Sequence, residues 1–380
     1  MAGFSGAAGR VALAVAALVC LAAAPAAAKD LFVAPKGAAK ADGSKTSPFG
    51  KIGQALAAAQ PGDRIVLAPG RYAEDVKTVR DGRAGAPITV TGPASARIVG
   101  SGGDRVFVVN HDHIHLEGFT LDGKVGDASS KKGFRDKLLY VIGRAPGRGV
   151  NGLVVTGLTV RNAGGECIRL RYLVRGALVA NNRIGPCGAY DFRLKDGGKN
   201  GEGIYIGTGP EQRGKNGAPD GRVDASNGNR IAGNVIDTRG NECVDIKEGS
   251  SGNIVEGNDC TGQRDKESAG LDSRGDRNVF RNNRVHGNRG AGIRFGGDKD
   301  GMGVGNEAYG NVLADNKAGG FALQRGPQGR ICDNTVTNSD PLTFGRFRGY
   351  ADPTASCASF AWKKPEKKDD EDKKEKDDDD

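Results

Sequence analysis

Four residues in two short segments, Val244-Asp-Ile-Lys247 and Leu271-Asp-Ser-Arg274, pair an acid with a base two positions further on. In an extended chain alternate side chains share a face. Each segment therefore presents one carboxylate and one cation on the same side. If the segments are neighbouring rungs of one parallel sheet, Asp245 lies beside Asp272 and Lys247 beside Arg274, about 4.8 Å apart. Two carboxylates at that spacing repel each other unless a cation bridges them or basic side chains pair with them. The same outward columns take in Arg169, Tyr205 and Arg294 on one line and Arg171 on the next. Their guanidinium groups suit the binding of carboxylates. Glu202 and Glu242 precede their strands at matching positions and add oxygen donors to a cation set of Glu202, Glu242, Asp245 and Asp272. Two other readings stay open: an acid pair of the kind hydrolases use, or a charge ladder that only stabilises the surface.

His111, His113 and His115 alternate with Ile114 and Leu116. One extended strand spreads them about 7 Å apart, so they are expected to be partly packed rather than joint ligands of one ion. His286 stands alone in sequence and is expected to be structural.

The elements that must position these residues are repeats. Glu166-Cys-Ile-Arg-Leu-Arg171, Glu202-Gly-Ile-Tyr-Ile-Gly207, Glu242-Cys-Val-Asp-Ile-Lys247, Gly292-Ile-Arg-Phe-Gly296 and Gly320-Phe-Ala-Leu-Gln324 all alternate with period two, the pattern of a strand with one buried face. A second series contains Asn182, Asn234, Asn258, Asn283, Asn311 and Asn334; from Asn234 onward its spacings are 24, 25, 28 and 23 residues. Such a period is one coil of a solenoid. Asn suits a sharp corner and its amide can bond to the next coil. The expectation is an all-β, right-handed parallel β-helix over residues 29–362. A helix over 52–59 should cap its first coil, and the segment 332–362 should close its far end. Excursions at 124–135, 190–200 and 208–229 are rich in Gly, Lys and Asp and are expected to be loops walling a groove.

Composition agrees with many thin layers rather than one thick core: 62 Gly stand against 13 Phe, 7 Tyr, 2 Met and 1 Trp. Collagen is excluded by the absence of a Gly-X-Y period and by only 15 Pro. Residues 1–28, with Arg10, an apolar Ala-rich run and Ala26-Ala-Ala28, have the form of a secretory signal peptide. The mature protein is therefore expected outside the cell, off the membrane and monomeric. Cys20 leaves with the signal, and the six remaining Cys suggest disulfides. The local pairing is favoured: Cys167 with Cys187, Cys243 with Cys260, Cys332 with Cys357. The formal charge is +9, although the low-complexity tail 363–380 carries more acidic residues than Lys. The body is thus strongly basic and calls for an anionic partner. No nucleic-acid module is present, which favours an acidic polysaccharide over nucleic acid in a secreted protein; a generally basic, soluble surface with no such partner is the other reading of the charge. The tail has nothing to bury and is expected to be disordered.

Two regions carry a resemblance. Ser47-Pro-Phe-Gly-Lys-Ile-Gly-Gln-Ala-Leu56, followed by Gln60-Pro-Gly-Asp-Arg-Ile-Val-Leu-Ala-Pro-Gly-Arg-Tyr72, resembles the opening of pectate-lyase-like β-helix proteins. That superfamily holds lyases, hydrolases, epimerases and noncatalytic members, so it implies a fold and not a reaction. The stretch Glu242-Cys-Val-Asp-Ile-Lys247 to Asn253, with Asp272-Ser-Arg274 to Asn278, is similar to the alginate lyase and chondroitinase B family. It departs from that family at Gly275, where a His is usual. The resemblance implies Lys247 as base, Arg274 as acid or charge stabiliser, and Ca2+ nearby. The reaction implied is β-elimination on a uronate polymer such as pectate or alginate. Its demands are a neutralised carboxylate, a base for the C5 proton and stabilisation of the departing oxygen. A noncatalytic glycan-binding or cell-surface protein of the same fold is the alternative.

Overall fold

A computed structural model describes residues 1–3, 28–38, 40–298 and 301–364. The signal-peptide reading falls mainly on residues 4–27 and the tail reading on 365–380, both outside the described residues. The short apolar alternations do form strands, most of them three to five residues long, and they stack coil upon coil into one eleven-stranded and two ten-stranded sheets. Every strand pair is parallel. Each sheet takes one strand from successive coils, and the chain passes through the other two sheets before it returns. This is the right-handed parallel β-helix, the hand that crossover connections strongly favour.

The inward face is one continuous core. Ile168 and Leu170, Ile204 and Ile206, Val244 and Ile246, and Leu271 follow one another up the stack and are fully buried. Where the coils carry rings, those rings pack on each other, as with Phe280 and Phe295 at 5.4 Å between centroids. A single coil cannot bury such a face alone; its neighbours supply the cover.

The Asn series is a buried ladder. The backbone N–H of each member donates to the side-chain carbonyl of the next: Asn182 to Asn234 at 3.0 Å, Asn234 to Asn258 at 2.9 Å, Asn258 to Asn283 at 3.0 Å, and onward to Asn334. The left-handed backbone belongs to the preceding residue rather than to the ladder Asn. It is Gly233, Gly257, Asn282, Gly310 and Asp333 that have φ between 50° and 65°. A second ladder, Asn229, Asn253, Asn278, Asn306 and Gln328, runs at another corner.

Both ends are closed as expected. The helix Ile52–Ala58 buries Ile52, Ala55 and Leu56 over the first coil. Its exposed N–H groups at Ile52 and Gly53 donate to the Glu74 carboxylate, each at 2.8 Å. At the far end Phe347, Phe360 and Trp362 pack on the core. The three disulfides join Cys167 to Cys187, Cys243 to Cys260 and Cys332 to Cys357.

Candidate functional site

The site lies on the outward face of the ten-stranded sheet that contains Ile168–Arg171, Ile204–Ile206, Val244–Ile246, Ala269–Ser273 and Ala291–Phe295. Register places Arg169 beside Tyr205, Tyr205 beside Asp245, Asp245 beside Asp272, and Asp272 beside Arg294. That is the column expected from the repeats. A cleft of about 310 Å³ opens over it, lined among others by Glu202, Tyr205, Glu242, Asp245, Lys247 and Arg274.

The acids are crowded. One oxygen from each of Glu202, Glu242 and Asp245 lies within 4.8 Å of the others, and all three residues are buried. Two carboxylates that close repel by about 3 kcal/mol at an effective dielectric near 20. Burial, aided by the charges of Glu166 and Asp245, pushes the Glu202 carboxyl up to about 7. Burial together with Asp245 and Glu202 drives Glu242 well above the ordinary carboxylate range. The cation bonded to this trio is Lys247, whose Nζ is 2.7 Å from Asp245 Oδ2 and 4.8 Å from the centre of the Tyr205 ring, and the charges of Arg169 and Arg274 also reach the trio. Burial alone would lower the Lys247 ammonium, but Asp245, Tyr205 and Glu242 together outweigh it and hold the proton on. Glu242 accepts the Ser268 hydroxyl with one oxygen. Its other oxygen and Asp245 Oδ1 are buried without a donor among the described residues.

Asp272 stands outside the trio. Its Oδ2 takes Arg294 at 2.7 Å and Arg274 at 3.5 Å, so two guanidiniums already answer its charge. Arg274 also reaches Asp298 at 2.6 Å. Desolvation opposes its charge, but Asp272, Asp245 and Asp298 raise its pKa further. Arg274 therefore stays protonated.

The proposed substrate arginines divide. Arg294 lines the cleft. Arg171 is 2% exposed, and its guanidinium donates to the Tyr140 hydroxyl at 3.0 Å and to the Lys215 carbonyl at 3.0 Å. It is a strut beneath the 208–229 excursion and not a free sugar contact, because the loop covers it. Arg169 is corrected likewise: it is 3% exposed, bonded to Glu166 at 2.6 Å and stacked 3.4 Å from the centre of the Tyr205 ring. Tyr205 does line the cleft, and burial raises its hydroxyl to about 12.

The structure adds residues that sequence reasoning missed. Glu166 heads its segment as Glu202 and Glu242 head theirs, and that shared position was its signal. It differs in being neutralised, by Arg169 at 2.6 Å and Lys137 at 3.0 Å. Lys199 bonds Glu267 at 2.7 Å and Asp265 at 2.9 Å, closing one wall of the cleft with two loops that have no period to betray them. The histidines do not gather: no ligand group among the described residues contains one. His111 instead meets the Thr78 hydroxyl at 2.8 Å, and His286 meets Asp259 at 2.8 Å.

Comparison with known proteins agrees on architecture. Residues 216–351 match the family model described as "Right handed beta helix region", and residues 35–102 match one described as a protein of unknown function (DUF1565). No curated protein matches the chain by sequence. Among solved structures, an alginate lyase from Paenibacillus sp. str. FPU-7 is similar with a TM-score of 0.58 at 20% identity, covering 82% of this chain and 98% of its own. Pectate lyase Pel9A gives 0.52 at 14% identity, covering 86% and 81%. Geobacillus virus E2 ORF18 gives 0.53 at 12% identity, covering 80% of this chain and 55% of its own. At these identities the likeness establishes the fold.

Proposed function

We propose that this right-handed parallel β-helix is a secreted polysaccharide lyase that cleaves a uronate-containing polymer by β-elimination in the cleft over Lys247. The observation that carries the reading is the trio of Glu202, Glu242 and Asp245, buried within 4.8 Å of one another, with Lys247 bonded to Asp245. An all-carboxylate set with unpartnered buried oxygens suits a hard divalent cation such as Ca2+. When bound there, such a cation would supply positive charge beside the uronate carboxyl group and share Asp245 with Lys247.

The chain's own residues then have distinct tasks. Lys247, held by Asp245 and the Tyr205 ring, is placed to take the C5 proton as the neutral amine, after its ammonium has given its own proton to solvent, a loss that a weaker hold by Asp245 would favour. Arg274 keeps its proton and serves as a fixed hydrogen-bond donor, either stabilising the departing oxygen, which then takes its proton from solvent, or holding the sugar carboxylate. Arg294 is positioned one rung further for a neighbouring uronate. Asp272 and Asp298 hold both guanidiniums in place. Secretion is supported by the leader-like sequence and by the three disulfides. No helix among the described residues is long and apolar enough to cross a membrane. The unit doing this work is proposed to span 29–362, and its partner to be an acidic glycan.

The test is incubation with pectate and with alginate in Ca2+, following ultraviolet absorbance of the unsaturated product. Absorbance that vanishes in Lys247→Ala and on chelation is expected. Binding of either polymer without any absorbance would replace the lyase by a noncatalytic glycan binder.

A further inference from the structure

Outward side chains on a solenoid face normally meet solvent, yet on this sheet they are buried from Tyr140 through Arg169, Arg171 and Tyr205 to Asp245 and Asp272, and the first three are buried under a loop. Tyr140, Arg169 and Arg171 are 1%, 3% and 2% exposed. What covers them is the excursion that leaves the sheet after Ile204–Ile206. The Asn216 carbonyl accepts Arg105 at 3.0 Å, the Lys215 carbonyl accepts Arg171 at 3.0 Å, and the Gln212 side chain accepts Arg169 at 3.2 Å. Ala218 adds an apolar contact against the patch formed by Tyr140 and its neighbours.

The cover is fastened at its return. Asp224 is buried and accepts the backbone N–H of Tyr172 at 2.5 Å and of Leu173 at 2.9 Å, with the hydroxyls of Thr208 and Ser226 at 2.6 and 2.7 Å. Polar groups satisfied on this scale cannot be exposed without leaving buried partners unmet. Among the described residues the far side of the cleft is different. There Arg294 lines the opening and Asp298 has a side chain 60% exposed.

We infer that the groove is a dead end, closed by the 208–229 excursion on the Arg169 side and open on the Asp298 side, so that a uronate chain enters by one of its ends. The inference rests on the lyase reading only for its consequence, exolytic cleavage. From the rung of Lys247 to the rung of Arg169 is two strand spacings, about 10 Å. That is space for the tip of a polymer and not for a polymer passing through.

Two measurements test it together. The first follows absorbance and viscosity of polygalacturonate and alginate in parallel. Absorbance rising while viscosity persists, with one small product from the earliest times, is expected; an early collapse of viscosity with a ladder of intermediate sizes overturns the inference. The second needs no turnover: the number of protein molecules bound per chain, by sedimentation, on oligouronates of increasing defined length in chelator. Flat stoichiometry is expected, and stoichiometry that grows with length overturns it. Flat stoichiometry with no absorbance would remove the lyase reading and leave the dead-end cleft intact.

Discussion

Replacing Glu202 by Gln should raise stability in chelator and weaken the response to Ca2+. Without a cation, the folded Glu202 carboxyl titrates at about 7 against an ordinary value of 4.5, because it is buried beside Glu166 and Asp245. The sign follows from linkage. Between the two values the folded protein holds a proton that the unfolded chain releases, so stability falls as pH rises, and the penalty is complete above 7. A shift of that size corresponds to about 3 kcal/mol. Gln keeps the shape, can still accept the Gly201 N–H that Glu202 accepts at 2.9 Å, and carries no charge. Urea unfolding in chelator should thus show the variant more stable by about 3 kcal/mol at pH 8 and nearly equal to the parent at pH 4. Added Ca2+ should raise the melting temperature of the parent much more than that of the variant, since one of the charged ligands has gone. A gain that does not grow with pH, or a Ca2+ response undiminished by the substitution, would refute the electrostatic account of the trio.

Three further outcomes are expected. Asn258→Ala takes away the side-chain oxygen to which both the Asn234 N–H and the Asn234 side-chain amide donate at 2.9 Å; at about 1–3 kcal/mol for each such buried group, urea unfolding should show a loss of about 3 kcal/mol. Asp81 is held down to about 2, first by its hydrogen bonds from Arg144; Asp81→Asn should cost about 1 kcal/mol at pH 7 after allowance for solvent screening. That difference should hold above about 4 and fade as pH drops toward 2, because a depressed carboxyl loses its contribution on protonation. Replacing both Cys243 and Cys260 by Ser should lower stability by about 2–4 kcal/mol, measured as a shift in the urea midpoint.

The solenoid was legible because its signals are periodic. Alternating Ile and Val fixed which face turned inward, and the spacing of Asn234, Asn258 and Asn283 fixed the coil length. Register followed from those two facts, so the adjacency of Asp245 and Asp272 was readable before any coordinates. Partner choice was not. Sequence gives the rung on which a side chain sits but not which neighbour captures it. Asp272 is taken by Arg294, and Arg169 by Glu166. Arg171 is roofed by carbonyls of residues about 41 to 45 positions away, and backbone oxygens leave no trace in residue type. The helix at the first coil has Lys51 where a capping side chain is usual, and Glu74 does that work from a distance.

Charge arrangement elsewhere on the solenoid separates a working site from a structural ladder. On the other faces acids and bases interleave. Glu256 lies between Arg230 and Arg281, Asp122 between Arg97 and Arg161, and Glu307 meets Arg330. Sheets at a spacing of about 4.8 Å favour that pattern, since opposite charges on neighbouring strands stabilise and like charges oppose pairing. Over the cleft the rule is broken three times, with Glu166 next to Glu202, Glu202 next to Glu242 and Asp245 next to Asp272. Arg169 and Lys137 answer Glu166, and Arg294 and Arg274 answer Asp272; among the described residues Lys247 pairs with Asp245, and neither Glu202 nor Glu242 has an ion pair of its own. A ladder kept only for stability would have no reason to bury two glutamates side by side where an interleaved base would serve. On the cation-binding reading proposed above, the repulsion at this spot is the unfavourable half of an interaction whose favourable half would be a bound cation. That gives the Glu202 substitution its two opposite signs.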